Sequence, residues 1–358
     1  MRGHARAATL EGVFRRLAVM VGLVVACSAP PAATPSTSLV GASPPPGASA
    51  ATAAPTTGAT AAPTAAPIPG TIPTATPIAL PSVAQISAPS ATVVWALVAG
   101  ARLFRSTDRG DTWQERPLPA QPANPLISFI DDHEGWLATT GSPATQCQSQ
   151  SIGMLHTVDA GVTWQPLNVS GIDAAQCKNS LTFTDGTHGY VTTYALNSEP
   201  LVYRSTDGGQ RWTPSAQFPQ PASGQRPTDP APVVVSLRSF ADTPLADVAG
   251  ESWHDAYRST DGGATWTHAS TAPNQGDPIA FVTATRWIQI GAPGASSETT
   301  DGGANWDAFA TDYQQAAPIP PAFTFGDAQV GYATVRGAIQ RTIDGGATWS
   351  TIATPGTS

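Results

Sequence analysis

The eight residues Ser259-Thr260-Asp261-Gly262-Gly263-Ala264-Thr265-Trp266 decide how the chain is read, because their pattern returns five more times. Its form is [ST]-x-D-x-G-x-x-W. The other copies are Ser106–Trp113 (STDRGDTW), Thr157–Trp164 (TVDAGVTW), Ser205–Trp212 (STDGGQRW), Thr299–Trp306 (TTDGGANW) and Thr342–Trp349 (TIDGGATW). The aspartates Asp108, Asp159, Asp207, Asp261, Asp301 and Asp344 lie 51, 48, 54, 40 and 43 residues apart, and the copies use six of the ten tryptophans. A period of that length marks a repeat architecture. Within each copy D-x-G is a tight-turn sequence, in which Gly supplies positive φ while Asp and Ser/Thr offer oxygens to nearby amides. Short β-like runs such as Arg102–Arg105 and Thr112–Glu115 flank the turn. Each copy therefore reads as a β-hairpin whose returning strand opens on a Trp plate.

A second pattern, F-x-D-x-x-x-G-[WY], stands upstream of the first. It appears at Phe129…Asp131…Gly135-Trp136, Phe183…Asp185…Gly189-Tyr190 and Phe325…Asp327…Gly331-Tyr332, with degenerate forms at Phe240 (Asp242) and Phe281 (Trp287). It is another hairpin, so each unit supplies four strands. Four strands recurring every 40 to 54 residues predict an all-β, six-bladed β-propeller of four-stranded antiparallel blades over residues 83–354, with no sequence left for a seventh blade.

These motifs resemble those of the Asp-box, or BNR-repeat, propellers, a group that includes sialidases and the sortilin ectodomain. Paired with the upstream motif, they look closest to bacterial propellers similar to the photosystem II stability and assembly factor. The resemblance implies that the six box aspartates are structural turn residues on the side away from the usual ligand entrance. It is specific for fold and nearly silent on activity.

The part before residue 83 is different in kind. Residues 17–101 carry no charged residue, and of residues 28–82, 13 are Pro, 16 Ala, 10 Thr and 6 Ser. So little apolar bulk does not offset ordering entropy, and a disordered linker is expected over 27–82. Arg15 and Arg16 precede a ten-residue apolar stretch that closes on Ala26-Cys27, too short to span a bilayer and of signal-peptide form. Val24-Val25-Ala26-Cys27 resembles the bacterial lipobox. Residues 1–26 are therefore expected to be a lipoprotein-type signal, with Cys27 lipidated and the protein exported and anchored at the cell envelope or surface. In an exported body, Cys147 and Cys177 are expected to pair as a disulfide.

Net charge is −8, and without the first 26 residues it is −11, from 13 basic and 24 acidic residues. That balance excludes a basic stripe for nucleic acid. No cofactor or metal is expected. The cluster Asp131-Asp132-His133-Glu134 fills a hairpin turn, and His188 stands in an equivalent one.

Propeller connectivity puts the two hairpin turns of every blade on one face, and the loops joining strands two and three, with those joining blades, on the other. The long segments 141–152, 167–180, 214–232, 250–255, 272–278 and 308–321 all belong to this loop face, where binding is expected. Its candidate contact residues are Trp253, His254, Asp255, Arg226, Asp312 and Tyr313. Catalysis has less support. The F/Y-R-I-P tetrapeptide that sialidases share is absent, the body has five Glu, and no motif gathers three of Arg102, Arg226, Arg238, Arg286 and Arg336. The expected protein is a surface-tethered, non-catalytic, monomeric propeller that binds a protein or glycan. The alternative is an exo-α-sialidase-type glycoside hydrolase.

Overall fold

The computed structural model describes residues 66–357, apart from 71, 73–76, 79–82, 120–122, 142–149, 195–198, 222–231, 275, 292–293 and 315–320. It is an all-β, six-bladed propeller. Blade one is Ala84–Ser87, Val94–Val98, Arg102–Ser106 and Gln114–Arg116; blade two is Pro125–Phe129, Gly135–Thr140, Ile152–Thr157 and Thr163–Leu167. Blade three is Cys177–Phe183, Gly189–Tyr194, Val202–Ser205 and Thr213–Pro214; blade four is Val233–Phe240, Thr243–Ala249, His254–Arg258 and Thr267–Thr271. Blade five is Ile279–Phe281, Trp287–Gln289, Ser297–Thr299 and Asp307–Ala308; blade six is Ala322–Phe325, Gly331–Val335, Ala338–Thr342 and Ser350–Ile352. Every blade runs inner to outer edge in chain order, all pairs antiparallel. The four strands of each blade thus come from one continuous stretch, and among the described residues no blade draws one of its four strands from both chain ends.

The box closes its hairpin the same way six times. In the fourth copy the Ser259 hydroxyl donates to Asp261 Oδ1 (2.7 Å) and accepts the Gly263 N–H (2.8 Å). Asp261 also accepts from the Thr265 N–H (2.9 Å) and hydroxyl (2.6 Å). The carboxylate is held by donors from both ends of the turn, which lowers the carboxyl pKa of all six box aspartates; for Asp108 and Asp301 it falls to about 2. Gly263 lies at φ +83°, a conformation a β-carbon disfavours.

The upstream motif packs neighbouring blades together. Phe129 faces Gly135 across its hairpin, and a β-carbon there would sit 2.2 Å from the ring. On its other side the ring stacks on Trp95 of blade one at 3.7 Å, and Phe183 stacks likewise on Trp136 at 3.8 Å. Asp131, Asp185 and Asp327 accept the two amides that close their turns. The Asp131–Glu134 cluster is thus turn chemistry, with Glu134 also 2.9 Å from His156. The core is divided into separate apolar clusters, one at each blade-to-blade junction.

Two details differ from the sequence reading. At Phe240 the chain reverses through only Ala241-Asp242, with Ala241 at φ +51°, so Phe240 packs toward blade five with Phe281 and Trp287. Phe129 and Phe183 pack toward the preceding blade instead. The other difference lies inside the expected linker. Ile68–Pro69 adds a fifth strand to the outer edge of blade two, pairing with Trp164 and Thr163. Ile78 bridges Thr357, and its amide donates to Gly356 O (2.8 Å). Pro69 is tolerated because it lies on a sheet edge. Residues 1–65, and with them Cys27, lie outside the described residues.

Candidate functional site

The six innermost strands enclose a central channel of about 760 Å³, within the range of ligand pockets. An inner strand has a partner on only one side, so alternate backbone groups turn toward the channel unpaired. Side chains from the preceding blade satisfy several of them. Gln85 donates to Pro125 O (2.6 Å), and the Ser87 hydroxyl accepts the Phe129 N–H (2.9 Å). The Ser128 hydroxyl accepts the Phe183 N–H (2.8 Å), and Asn179 donates to Val234 O (2.7 Å). Ser236 donates to Ile279 O (3.0 Å), and Arg238 to Phe281 O (3.0 Å). Blades one to five are stitched along the channel in this way.

The channel is electrically polar from end to end. At its turn-face mouth stand Asp185 and Asp242. Arg238 lies nearby over the Phe240 ring at 4.9 Å, and burial pushes its guanidinium down to about 10, with Asp327 acting in the opposite sense. The loop-face mouth carries Val83, Val235 and Arg336. Val83 is 65% exposed, and Arg336 is exposed with its backbone at φ +48°. Among the described residues the Arg336 side chain has no hydrogen-bond or ion-pair partner.

The other arginines go elsewhere. Arg102 pairs with Glu115 (2.7 Å) and Arg286 with Glu298 (3.0 Å). Arg226 lies outside the described residues. Arg238 and Arg336 line opposite ends of the channel, so the described arginines do not converge on one point. Three third-strand arginines latch blades one, four and six each to the following blade on the turn face: Arg105 to Asp132 O, Arg258 to Ala284 O, and Arg341 to Arg109 O and Asp111.

The loop-face contact candidates divide differently from the sequence expectation. Tyr313 is buried among Phe323 and Trp349, so it packs the junction of blades five and six, and burial raises its hydroxyl to about 12. Asp312 is exposed, but its carboxylate accepts the Trp349 N–H (2.8 Å). Trp253 is half-buried and folds over Gly250, where a β-carbon would meet its indole nitrogen at 2.3 Å. His254 and Asp255 are buried. His254 Nδ1 faces both Asp247 oxygens (3.0 and 3.1 Å), and Asp247 also accepts the Ile279 N–H (2.8 Å) across the blade junction. Burial raises the Asp247 carboxyl, with the His254 contact opposing. Asp255 is 2.6 Å from the Thr271 hydroxyl and 3.3 Å from His268. These residues order the loop face from beneath. Asp247 was missed by sequence reading, although it is the single charge in the apolar run Thr243–Ala249.

Lys178 is a second such element. Its ammonium donates to the carbonyls of Gln150, Asp173 (2.7 Å) and Gln176 (2.6 Å), tying two loop-face connections together. Burial pushes it down to about 8. Cys177 is buried beside it. Cys147 lies outside the described residues.

The BNR/Asp-box repeat family matches residues 257–268, which enclose the fourth box. The chain carries this repeat within a six-bladed propeller. A xyloglucanase from Paenibacillus sp. is 25% identical over 182 residues, 46% of this chain and 17% of its own length. The chain thus spans about a sixth of the curated relative it matches. Solved structures similar to this chain include YCF48 bound to D1 peptide, with a TM-score of 0.46 and 17% identity, covering 77% of this chain and 82% of that one. They also include the Hadza microbial sialidase Hz136, with a TM-score of 0.45 and 14% identity, covering 72% of this chain and 65% of that one.

Proposed function

We propose that this Asp-box propeller is a surface-tethered, non-catalytic binding module that takes a protein or glycan partner at the loop-face mouth of its central channel. Arg336 carries the reading. Its backbone, with Gly337, makes the positive-φ hairpin turn between the second and third strands of blade six, as Ala99-Gly100 does in blade one, and its side chain stands exposed at the channel rim without a partner among the described residues. The surrounding groups support binding over turnover. Arg238 and Arg336 stand at opposite ends of the channel, whereas a carboxylate-clamping glycosidase site needs its arginines together. The buried Asp247–His254 pair and the Lys178 cage hold the loop face in a fixed shape, which lowers the entropic cost of binding. Export, lipidation at Cys27 and a tether through residue 65 belong to the same reading, with envelope or surface localisation.

The test is capture from the native envelope by the full-length protein, with Arg336→Glu and Val235→Asp as variants, beside a fluorogenic sialoside assay. A specific partner retained by the wild type and lost by both variants, with thermal stability preserved, is the expected result. Sialoside turnover abolished by Arg238→Ala or Arg336→Ala overturns it.

A further inference from the structure

The stitches around the channel stop at blade five. In blade six the Gly326 N–H donates to Val330 O (2.8 Å). By antiparallel alternation, Gly326, Thr324 and Ala322 turn their backbone groups toward the second strand, while Phe325 and Phe323 turn theirs into the channel. The same register holds in blades two and three, where Ile130 donates to Glu134 O and Thr184 to His188 O. There the channel-facing N–H groups of Phe129 and Phe183 are taken by Ser87 and Ser128. The position that would serve Phe325 is the residue before Phe281, and it is Ala280, which packs at the junction of blades five and six with no hydroxyl to offer. Among the described residues no side chain bonds to the channel-facing backbone of Phe323 or Phe325. A bare strand edge four residues long therefore lies inside the channel, with Arg336 of the same blade at its loop-face end.

We infer that this edge is a strand-addition site. An extended peptide segment of the partner enters from the loop face, pairs its backbone with Phe323 and Phe325, and sets an acidic group on Arg336. Strand addition takes affinity from main-chain hydrogen bonds and selectivity from the groups at the ends of the segment. Both are present here. The edge offers unpaired donors and acceptors along the channel wall, and the channel runs from a cation at the loop face to Asp185 and Asp242 at the turn face. That polarity favours a segment whose negative end stays at the loop-face mouth. Val83 of blade one supplies apolar contact beside it. The inference rests on the loop-face binding reading above and names the partner's chemistry.

The decisive variant is Ala280→Ser, which puts on blade five the hydroxyl that Ser128 supplies on blade two, so that Phe325 is capped from within. The probe is a fluorescein-labelled Thr-Val-Thr-Val-Glu peptide with a free carboxylate, beside its Gln, carboxamide form. Fluorescence anisotropy with the full-length protein is expected to show binding of the acidic peptide. That binding should weaken by about tenfold in Ala280→Ser, the worth of one or two backbone hydrogen bonds, and by about tenfold in Arg336→Glu or with the Gln peptide. Hydrogen exchange gives an independent readout: the acidic peptide should slow exchange at the Phe323 and Phe325 amides of the wild type. Peptide binding that leaves those amides unprotected, or that Ala280→Ser does not change, overturns strand addition. An envelope partner lost in Arg336→Glu but retained by Ala280→Ser overturns it too, while leaving the loop-face reading standing. Absence of any partner and any peptide binding overturns both.

Discussion

Within the box the buried serine or threonine at the first position, not the exposed residue just before the tryptophan, should govern stability. In the fourth box, Ser259→Ala removes a buried hydroxyl that makes three bonds, one donated to the Asp261 carboxylate and two accepted from the Asp261 and Gly263 amides. Asp261 keeps the Thr265 amide and hydroxyl, but the buried Gly263 N–H is left with no acceptor. An unsatisfied buried donor costs about 1–3 kcal/mol. Thr265→Ala also removes one bond to Asp261, yet that bond is exposed and water replaces it, so the cost should stay near 0.5 kcal/mol. In a domain of this size each kcal/mol shifts the melting temperature by roughly 2–4 °C. Ser259→Ala should therefore lower it by several degrees and Thr265→Ala by a degree or two, measured by scanning calorimetry and checked by urea midpoints at constant m. Equal losses, or a larger loss for Thr265→Ala, would refute the view that the box is held by its buried hydroxyl.

Acid should act through the same turns. The six box carboxyls lie below their unfolded value of 3.8 in the folded protein, so the stability they contribute is complete above about pH 4. It is lost as pH falls toward 2, and Asp108→Asn should flatten the fall in urea midpoint between pH 5 and 2.5. Lys178 titrates in the opposite direction. Its folded value of about 8 lies below the ordinary 10.5, so stability should rise between pH 8 and 10, and Lys178→Met should remove that rise in denaturation measured across the window. Thiol titration of denatured, non-reduced protein should find Cys147 and Cys177 unreactive; two free thiols there end the disulfide proposal. Cys27→Ser should move the protein from the membrane fraction to the soluble fraction with its melting temperature unchanged, and wild-type protein free of acyl mass would count against lipidation.

The blades were legible because their chemistry is local. D-x-G turns, the Ser–Asp pair and the Phe that covers a Gly all lie within eight residues of one another, so spacing reveals them. The channel was not legible in the same way. Whether Ser128 or Ala280 caps a neighbour depends on the register between strands some 45–55 residues apart, which no local pattern encodes. Loop position likewise did not show that Tyr313 turns inward onto Trp349, or that His254 points back at Asp247. A tyrosine or histidine on a connection reads the same whether it faces solvent or core. The Pro, Ala and Thr composition before residue 83 hid Ile68–Pro69, because a two-residue edge strand needs no apolar run of its own.

That edge strand changes how the propeller hangs from whatever holds its N-terminal side. A pull arriving along the chain reaches Ile68–Pro69 on the rim of blade two, and then the Ile78–Thr357 bridge, before it reaches Ala84, the first residue of the channel wall. The two attachments act like the strain relief on a cable. They divert load to the outer edge and the C-terminus, and the inner strands keep their alignment under any pull from the N-terminal side.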